Sequence, residues 1–281
     1  MSRLAVVIPG IGYTADKPLL YFSRKLAERA GYEIRTIPFH GFPKKAKGDA
    51  EKLRVSCELA CEQAAEHLRN IDLGQYDVVL FIGKSIGTIA AADIAAHRGP
   101  AAPVRFILYT PLEETFSYSF SDAVVFTGSS DPWTGSKKSR IAELCAQSGI
   151  PCFVIPDANH SLETSDPLGD LQNLQHIMTQ TDSFIRKEQI RRITHYEQLL
   201  DELTAAVSFP EGRENKLSAL RETADALGTY YGSDDWRTDF ADDEAGRLPS
   251  GLKRAVLSED GIYNALETYA ERTGYRPNHE R

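Results

Sequence analysis

The chain lacks several features that would mark it for a particular trade. Four cysteines in 281 residues do not make a disulfide framework. Cys57 and Cys61 share a helical face, but no other Cys or His pair has zinc spacing, so all four read as small apolar fillers. No apolar run approaches the roughly 18 residues of a membrane span. The opening MSRLAVVIPG is already a strand and turn, so no secretory signal is expected and the cytoplasm is the expected compartment. A basic surplus is missing too. The formal net charge is −8, and a nucleic-acid backbone would repel such a surface.

What remains is ordinary soluble composition, 42% hydrophobic and 26% charged, over a length that suits one large domain or two. The charge is unevenly spread. Residues 1–187 carry 20 Lys+Arg against 21 Asp+Glu, and residues 188–281 carry 12 against 19. The asymmetry suggests two units with different tasks, a domain over 1–187 and an acidic, mainly helical accessory domain over 188–281.

Apolar runs alternate with helical patterns through the first part. Strands are expected at 4–8, 33–37, 78–82, 104–109, 123–127 and 152–155. Helices are expected near 17–30, 48–69, 86–97, 137–147 and 168–187. This alternation predicts an α/β fold, a mostly parallel doubly wound sheet of about six strands. Its ligands belong at the carboxyl ends of the strands. Beyond 188 no convincing strand appears, and helical spacing dominates 188–208, 215–227 and 260–272. Between the last two lies an acidic, aromatic stretch punctuated by Gly and Pro. No register of DDWRTDFADDEAG supplies the ligands of a calcium loop.

The segment FIGKSIGT, 81–88, has two readings. GKS is the back half of a phosphate-binding loop, and GKSIG is G-x-S-x-G, the turn that presents a serine nucleophile. A phosphate loop needs Gly at position 78, where this chain has Val78 inside an apolar strand run. The layout of strand, tight turn and Ala-rich helix instead puts Ser85 at a nucleophile elbow. Gly83 and Gly87 stand where side chains would collide with the neighbouring strand and helix.

A serine needs a general base, and the base needs an orienting acid. GSSDPW follows the fifth strand and offers Asp131. NHSLE follows the sixth and offers His160. Ser, Asp and His in this order, each after a strand, resemble an alpha/beta-hydrolase over residues 1–187. The turn IPGIGYT after the first strand resembles that family as well. The resemblance implies an oxyanion hole from the N–H of Ile86 and an N–H of the first turn, assigned to Ile11 with Gly12 as neighbouring choice. It also implies a serine hydrolase, carboxylesterase- or thioesterase-like, acting on a small-molecule acyl substrate without metal or organic cofactor. Two departures are visible. The leading antiparallel strands of the family are missing, and only TPLEETFSYSFSDA stands where many members insert a cap.

Rivals stand beside these choices. Glu113 and Glu114 follow the preceding strand, where some family members place the acid. His67, His97 and His176 sit in helix patterns, and His40 comes too early in the order. Lys84 reads as a structural neighbour of the serine. Tyr13, Phe116, Tyr118 and Trp133 are candidate pocket residues. Phe116, Tyr118 and Phe120 alternate with serines, as in a short extended piece, and edge packing competes with a pocket role there. Lys44, Lys45 and Lys47 read as a solvated face. Residues 222–268 resemble a small bacterial domain family of unknown function. Tyr230, Tyr231 and Trp236 form either a binding face or the core of that domain. Residues 188–281 are a candidate protein-binding module or active-site cover. The competing function is a non-catalytic scaffold on a hydrolase fold, working through that second domain.

Overall fold

The computed structural model describes residues 2–44, 48–98, 103–133, 139–208, 217 and 219–276. Lys45 and Lys47 lie outside the described residues, as do the first positions of the helices expected from 137 and 215. The chain divides into two compact units, Met1–Ile185 and Arg186–Arg281. No helix among the described residues is long and apolar enough to cross a membrane.

The first unit is built on six strands: β1 (Arg3–Ile8), β2 (Glu33–Thr36), β3 (Val78–Lys84), β4 (Val104–Tyr109), β5 (Ala123–Gly128) and β6 (Cys152–Ile155). All pair in parallel, in the order β2-β1-β3-β4-β5-β6. Among the described residues, α1 (Pro18–Arg29), α2 (Ala50–His67), α3 (Ile86–Arg98) and α4 (Arg140–Gln147) lie between strands, and α5 (Pro167–Ile185) follows β6. Side chains alternate along each strand, so β1 sends Leu4, Val6 and Ile8 to one face and Ala5 and Val7 to the other. The first face packs on Ala60 and Ala64 of α2, Ile89 and Ile94 of α3, and Ile141 of α4. The second packs on Leu19, Leu20 and Ala27 of α1 and Ile177 of α5. Both faces of the inner strands are dry, which is why β1, β3, β4 and β5 read as continuous apolar runs.

The strand order has one consequence for the site. From β1 the chain runs outward to β2, then returns past β1 to β3 and proceeds the other way. The carboxyl ends of β1 and β3 therefore bound the switch point, where doubly wound sheets leave a crevice. β1 ends in the turn Pro9–Tyr13, and β3 ends at Ser85.

The second unit is helical: α6 (Lys187–Val207), α7 (Arg221–Tyr231), α8 (Asp234–Glu244) and α9 (Glu259–Thr273). The helical pattern that runs through 185–188 breaks at Arg186. Helix α8 falls in the acidic stretch where apolar periodicity gave no signal. Ser233 caps it by accepting from the Trp236 N–H, and Asp234 and Asp235 sit in its first turn, where the helix dipole favours negative charge. Its buried face is made of acids. Asp239 is fully buried and accepts from Arg192, Gln189 and the Tyr230 hydroxyl. Asp242 accepts from Arg186, Gln189 and Arg247. Tyr230 and Tyr231 are buried, Tyr230 stacks on Tyr196, and the Trp236 indole donates to the Val256 carbonyl. These aromatics are core, not an exposed face.

Because Asp239 holds the largely buried Arg192 guanidinium through two hydrogen bonds, removing it leaves that charge, among the described residues, only the longer pair with Asp235 at 3.5 Å. Asp239→Ala is expected to destabilise the second unit by ~3–5 kcal/mol. Urea unfolding followed by Trp236 fluorescence would measure this; a change within ~0.5 kcal/mol, the scale of an unremarkable surface substitution, would contradict it.

Candidate active site

Ser85 follows the last residue of β3 and precedes the first residue of α3, and its φ of 55° lies in the left-handed region. A serine is seldom found there, and the strain is held by the surroundings. The Ser85 N–H donates to the Tyr109 carbonyl at 2.9 Å. The Thr88 N–H and hydroxyl both donate to the Ser85 carbonyl, at 2.9 and 2.6 Å. The turn also needs room. A Cβ on Gly87 would lie 2.3 Å from the Ile8 carbonyl oxygen and 2.4 Å from that of Pro9. One on Gly83 would lie 2.9 Å from the Thr88 Cα.

Asp131 stands at the end of β5, nearly buried at 4% exposure. Its Oδ1 accepts from the Trp133 N–H at 2.9 Å, and its Oδ2 lies 2.7 Å from His160 Nδ1. His160 Nε2 in turn lies 2.7 Å from Ser85 Oγ. A carboxylate only accepts, so the proton of this first contact belongs to Nδ1. With Nδ1 protonated, the neutral ring leaves a lone pair on Nε2, aimed at the serine hydroxyl. Three contacts hold the histidine loop. Gly128 lets the end of β5 approach so closely that a Cβ there would lie 2.1 Å from the Ala158 carbonyl oxygen. Asn159 Oδ1 accepts from the N–H groups of Ser161 and Glu163 at 2.7 and 3.3 Å. The Thr110 hydroxyl donates to the His160 carbonyl at 3.1 Å.

A cavity of about 410 Å³ opens on Ser85 and His160. Trp133 forms one wall, with its ring centroid 5.4 Å from that of His160. Ile11, Phe42, Leu53, Ile86 and Leu112 give the other apolar surfaces, and Lys44 is the cation among the described lining residues. Ile86 is the first residue of α3, so its N–H has no partner within the helix. Ile11 sits at the tip of a tight turn closed by mutual backbone hydrogen bonds of Gly10 and Tyr13, at 3.1 and 3.2 Å. Gly12 has φ +72° in that turn and is not among the residues lining the cavity.

Other candidates from the sequence lie elsewhere. Glu113 is exposed and accepts from Arg140 Nε at 2.9 Å, and Glu114 is exposed; neither is hydrogen-bonded to the His160 ring, whose Nδ1 meets Asp131. Tyr13 is buried in the core on the α1 side, its hydroxyl accepting from the Leu19 N–H. Phe116 and Tyr118 are not among the described residues lining this cavity either. The segment Glu113–Ser117 is a 3₁₀ turn, not an extended piece, so alternate residues do not share one face. Phe116 packs on Phe120 against the core, and the Tyr118 hydroxyl donates to Asp93. Sequence reasoning missed Thr110 and the walls Phe42, Leu53 and Leu112. Thr110 carried a signal of position alone, directly after β4.

The approach at Gly87 is backbone against backbone and has no flexible side chain to yield. Gly87→Ala is expected to cost at least the ~1–3 kcal/mol of an overpacked core. Gly251, with open space around its Cβ position, is the control: Gly251→Ala should leave the melting temperature unchanged. Thermal melts of the two variants check the contrast.

Residues 193–274 match the family described as Domain of unknown function (DUF4298). No curated protein matches the chain. Several solved structures are similar at low identity. One described as a hydrolase of the alpha/beta superfamily, from Xanthomonas campestris pv. campestris, is 13% identical, with a TM-score of 0.47 over 66% of this chain and 99% of that one. A YdeN-like hydrolase structure from Pectobacterium atrosepticum is 14% identical, with a TM-score of 0.44 over 65% and 92%. A lidless a/b serine hydrolase from Xanthomonas campestris is 13% identical, with a TM-score of 0.43 over 66% and 81%. The chain's own strand order, with the elbow after β3 and the loops after β5 and β6, is the alpha/beta-hydrolase fold, followed by a helical unit that matches a domain of unknown function.

Proposed function

We propose that the protein is a serine hydrolase that cleaves an ester or thioester of a small molecule through an acyl-enzyme. The observation that carries this reading is the unbroken chain Asp131–His160–Ser85, at 2.7 and 2.7 Å, ending at a cavity. Ser85 Oγ attacks the acyl carbonyl while His160 Nε2 takes its proton. The charge on the carbonyl oxygen is met by the N–H of Ile86 and an N–H of the turn at Ile11 or Gly12. His160 then passes the proton to the departing alcohol or thiol, and the acyl group stays on Ser85. Water attacks that ester, His160 takes the water proton and returns it to Ser85, and the acid leaves. Asp131 keeps the imidazole in the required tautomer and stabilises the imidazolium.

The cavity supports a small acyl group. Its volume of about 410 Å³ falls in the range of ~300–1,000 Å³ usual for small-molecule sites. Apolar walls around one serine and one histidine suit an acyl chain or ring better than a peptide or sugar.

A fluorophosphonate probe should label Ser85, and Ser85→Ala should abolish both labelling and hydrolysis of short aryl esters. Asp131→Asn should lower kcat by as much as ~10⁴, because the histidine loses its tautomer. Glu113→Gln and Glu114→Gln should leave it within about twofold, as exposed residues away from the chemistry. The rate should fall on acidification, since an imidazolium cannot accept the serine proton. A Ser85→Ala protein with wild-type esterase activity, or a wild-type protein that the probe does not touch, would remove the enzyme reading in favour of a scaffold.

A further inference from the structure

Lys84 is the residue immediately before the nucleophile, and it is 1% exposed. Lysines are almost never buried to this degree unless paired. Here the cationic contact found among the described residues is an aromatic ring: Nζ lies 5.0 Å from the ring centroid of Tyr13. The stem of the side chain runs beneath the turn that follows β1. A Cβ on Gly10 would meet Lys84 Cγ at 3.5 Å and the Lys84 carbonyl oxygen at 3.2 Å. Tyr13 closes that turn through its hydrogen bonds with Gly10, and its ring is fixed at the far end by the Leu19 N–H. Ile11 and Gly12 lie between Gly10 and Tyr13. The lysine thus grips one foot of the turn that carries the second oxyanion donor.

We infer that Lys84 is a positioning residue for the oxyanion turn: its ammonium, held against the ring of Tyr13, keeps the Gly10–Tyr13 turn seated on the elbow while the acyl carbonyl is attacked. The inference rests on the acyl-transfer reading above. It goes beyond that reading by giving the residue next to the nucleophile a task of its own.

A lysine here is a poor choice for stability. A methionine has similar length and would bury without penalty, whereas an amine taken out of water resists ionisation. Burial pushes the Lys84 amine down to about 7. The Asp131 and Glu163 carboxylates favour its charge, and Lys17, which also stands over the Tyr13 ring at 5.2 Å, opposes it. Tyr109, its register partner on β4, has its hydroxyl engaged with Ser23 and Thr181. The sign follows. Between about 7 and the ordinary lysine value near ~10.4, the unfolded chain holds a proton that the folded one has released. The cost of burial is therefore fully present below pH 7 and vanishes toward pH 10. The grip on Tyr13 runs the other way. A neutral amine has no cation–π attraction, so the turn loosens as pH rises through the titration of Lys84.

Lys84→Met separates the two effects. It is expected to raise the melting temperature, more at pH 6 than at pH 9, while lowering kcat on p-nitrophenyl acetate about tenfold, a partial loss against the ~10²–10³ of a missing oxyanion donor. KM should stay within about twofold, since the turn acts on the transition state. The second-order rate of fluorophosphonate labelling at Ser85 should fall with kcat. The wild-type decline of kcat above neutral pH should be absent in the variant. Tyr13→Leu removes the ring and keeps the amine; it should show a similar fall in kcat, and the double variant should fall no further. Unchanged kcat in Lys84→Met would overturn the inference. So would a joint loss of kcat and melting temperature, which would make Lys84 a packing residue, and so would additive losses in the double variant. Failure of the probe to label wild-type Ser85 would strike the acyl-transfer reading itself, a distinct outcome.

Discussion

At the carboxyl end of the sheet, backbone touches backbone. The turn after β1 leans on the first turn of α3, with no space at Gly87 for even one carbon. The end of β5 leans on the histidine loop in the same way at Gly128. These two approaches set where Ser85 and His160 stand, because each loop rests directly on the neighbouring main chain. The left-handed backbone of Ser85 persists for the same reason: hydrogen bonds from Thr88 and to Tyr109 fix both sides of it. The energy stored there is drawn from the dry packing of the two sheet faces below.

The site also shows how parallel topology turns distance in sequence into proximity. Ser85, Asp131 and His160 come from three loops, each leaving the same edge of the sheet. No loop needs to be long, because neighbouring strands place their ends side by side. The segment 110–122, which links β4 to β5, stays short and carries only one 3₁₀ turn. The cavity is accordingly lined by residues from the segments that follow each of the six strands and not by an inserted subdomain.

Much of this was legible from residues alone. The inner strands β1, β3, β4 and β5 announced themselves as apolar runs because both of their faces are buried, whereas the edge strands β2 and β6 are largely or partly exposed. The elbow glycines and the order of Ser85, Asp131 and His160 carried their own chemical logic. Three things were not legible, for different reasons. Helix Asp234–Glu244 buries aspartates against Arg192 of α6 and Arg186 just before it, so no apolar stripe betrays it. Phe42, Leu53 and Leu112 become one wall only after folding, since they come from unrelated stretches of chain. Lys84 reads from the sequence only as a structural neighbour of the serine, and the packing of the β1 turn over its stem is what reveals how deeply it is buried.

The chain holds two tryptophans, and the fold assigns them to different units. Trp133 stands against the imidazole of His160, while Trp236 lies in the helical unit with its indole bonded to Val256. Each unit therefore carries its own optical reporter, without any label being attached. With Trp236 changed to phenylalanine, the remaining emission would come from the cavity wall alone, where a neighbouring ring that gains a proton becomes a quencher. The ionisation of the histidine and the occupation of the cavity become observable as light from a single residue, in the resting protein and without turnover.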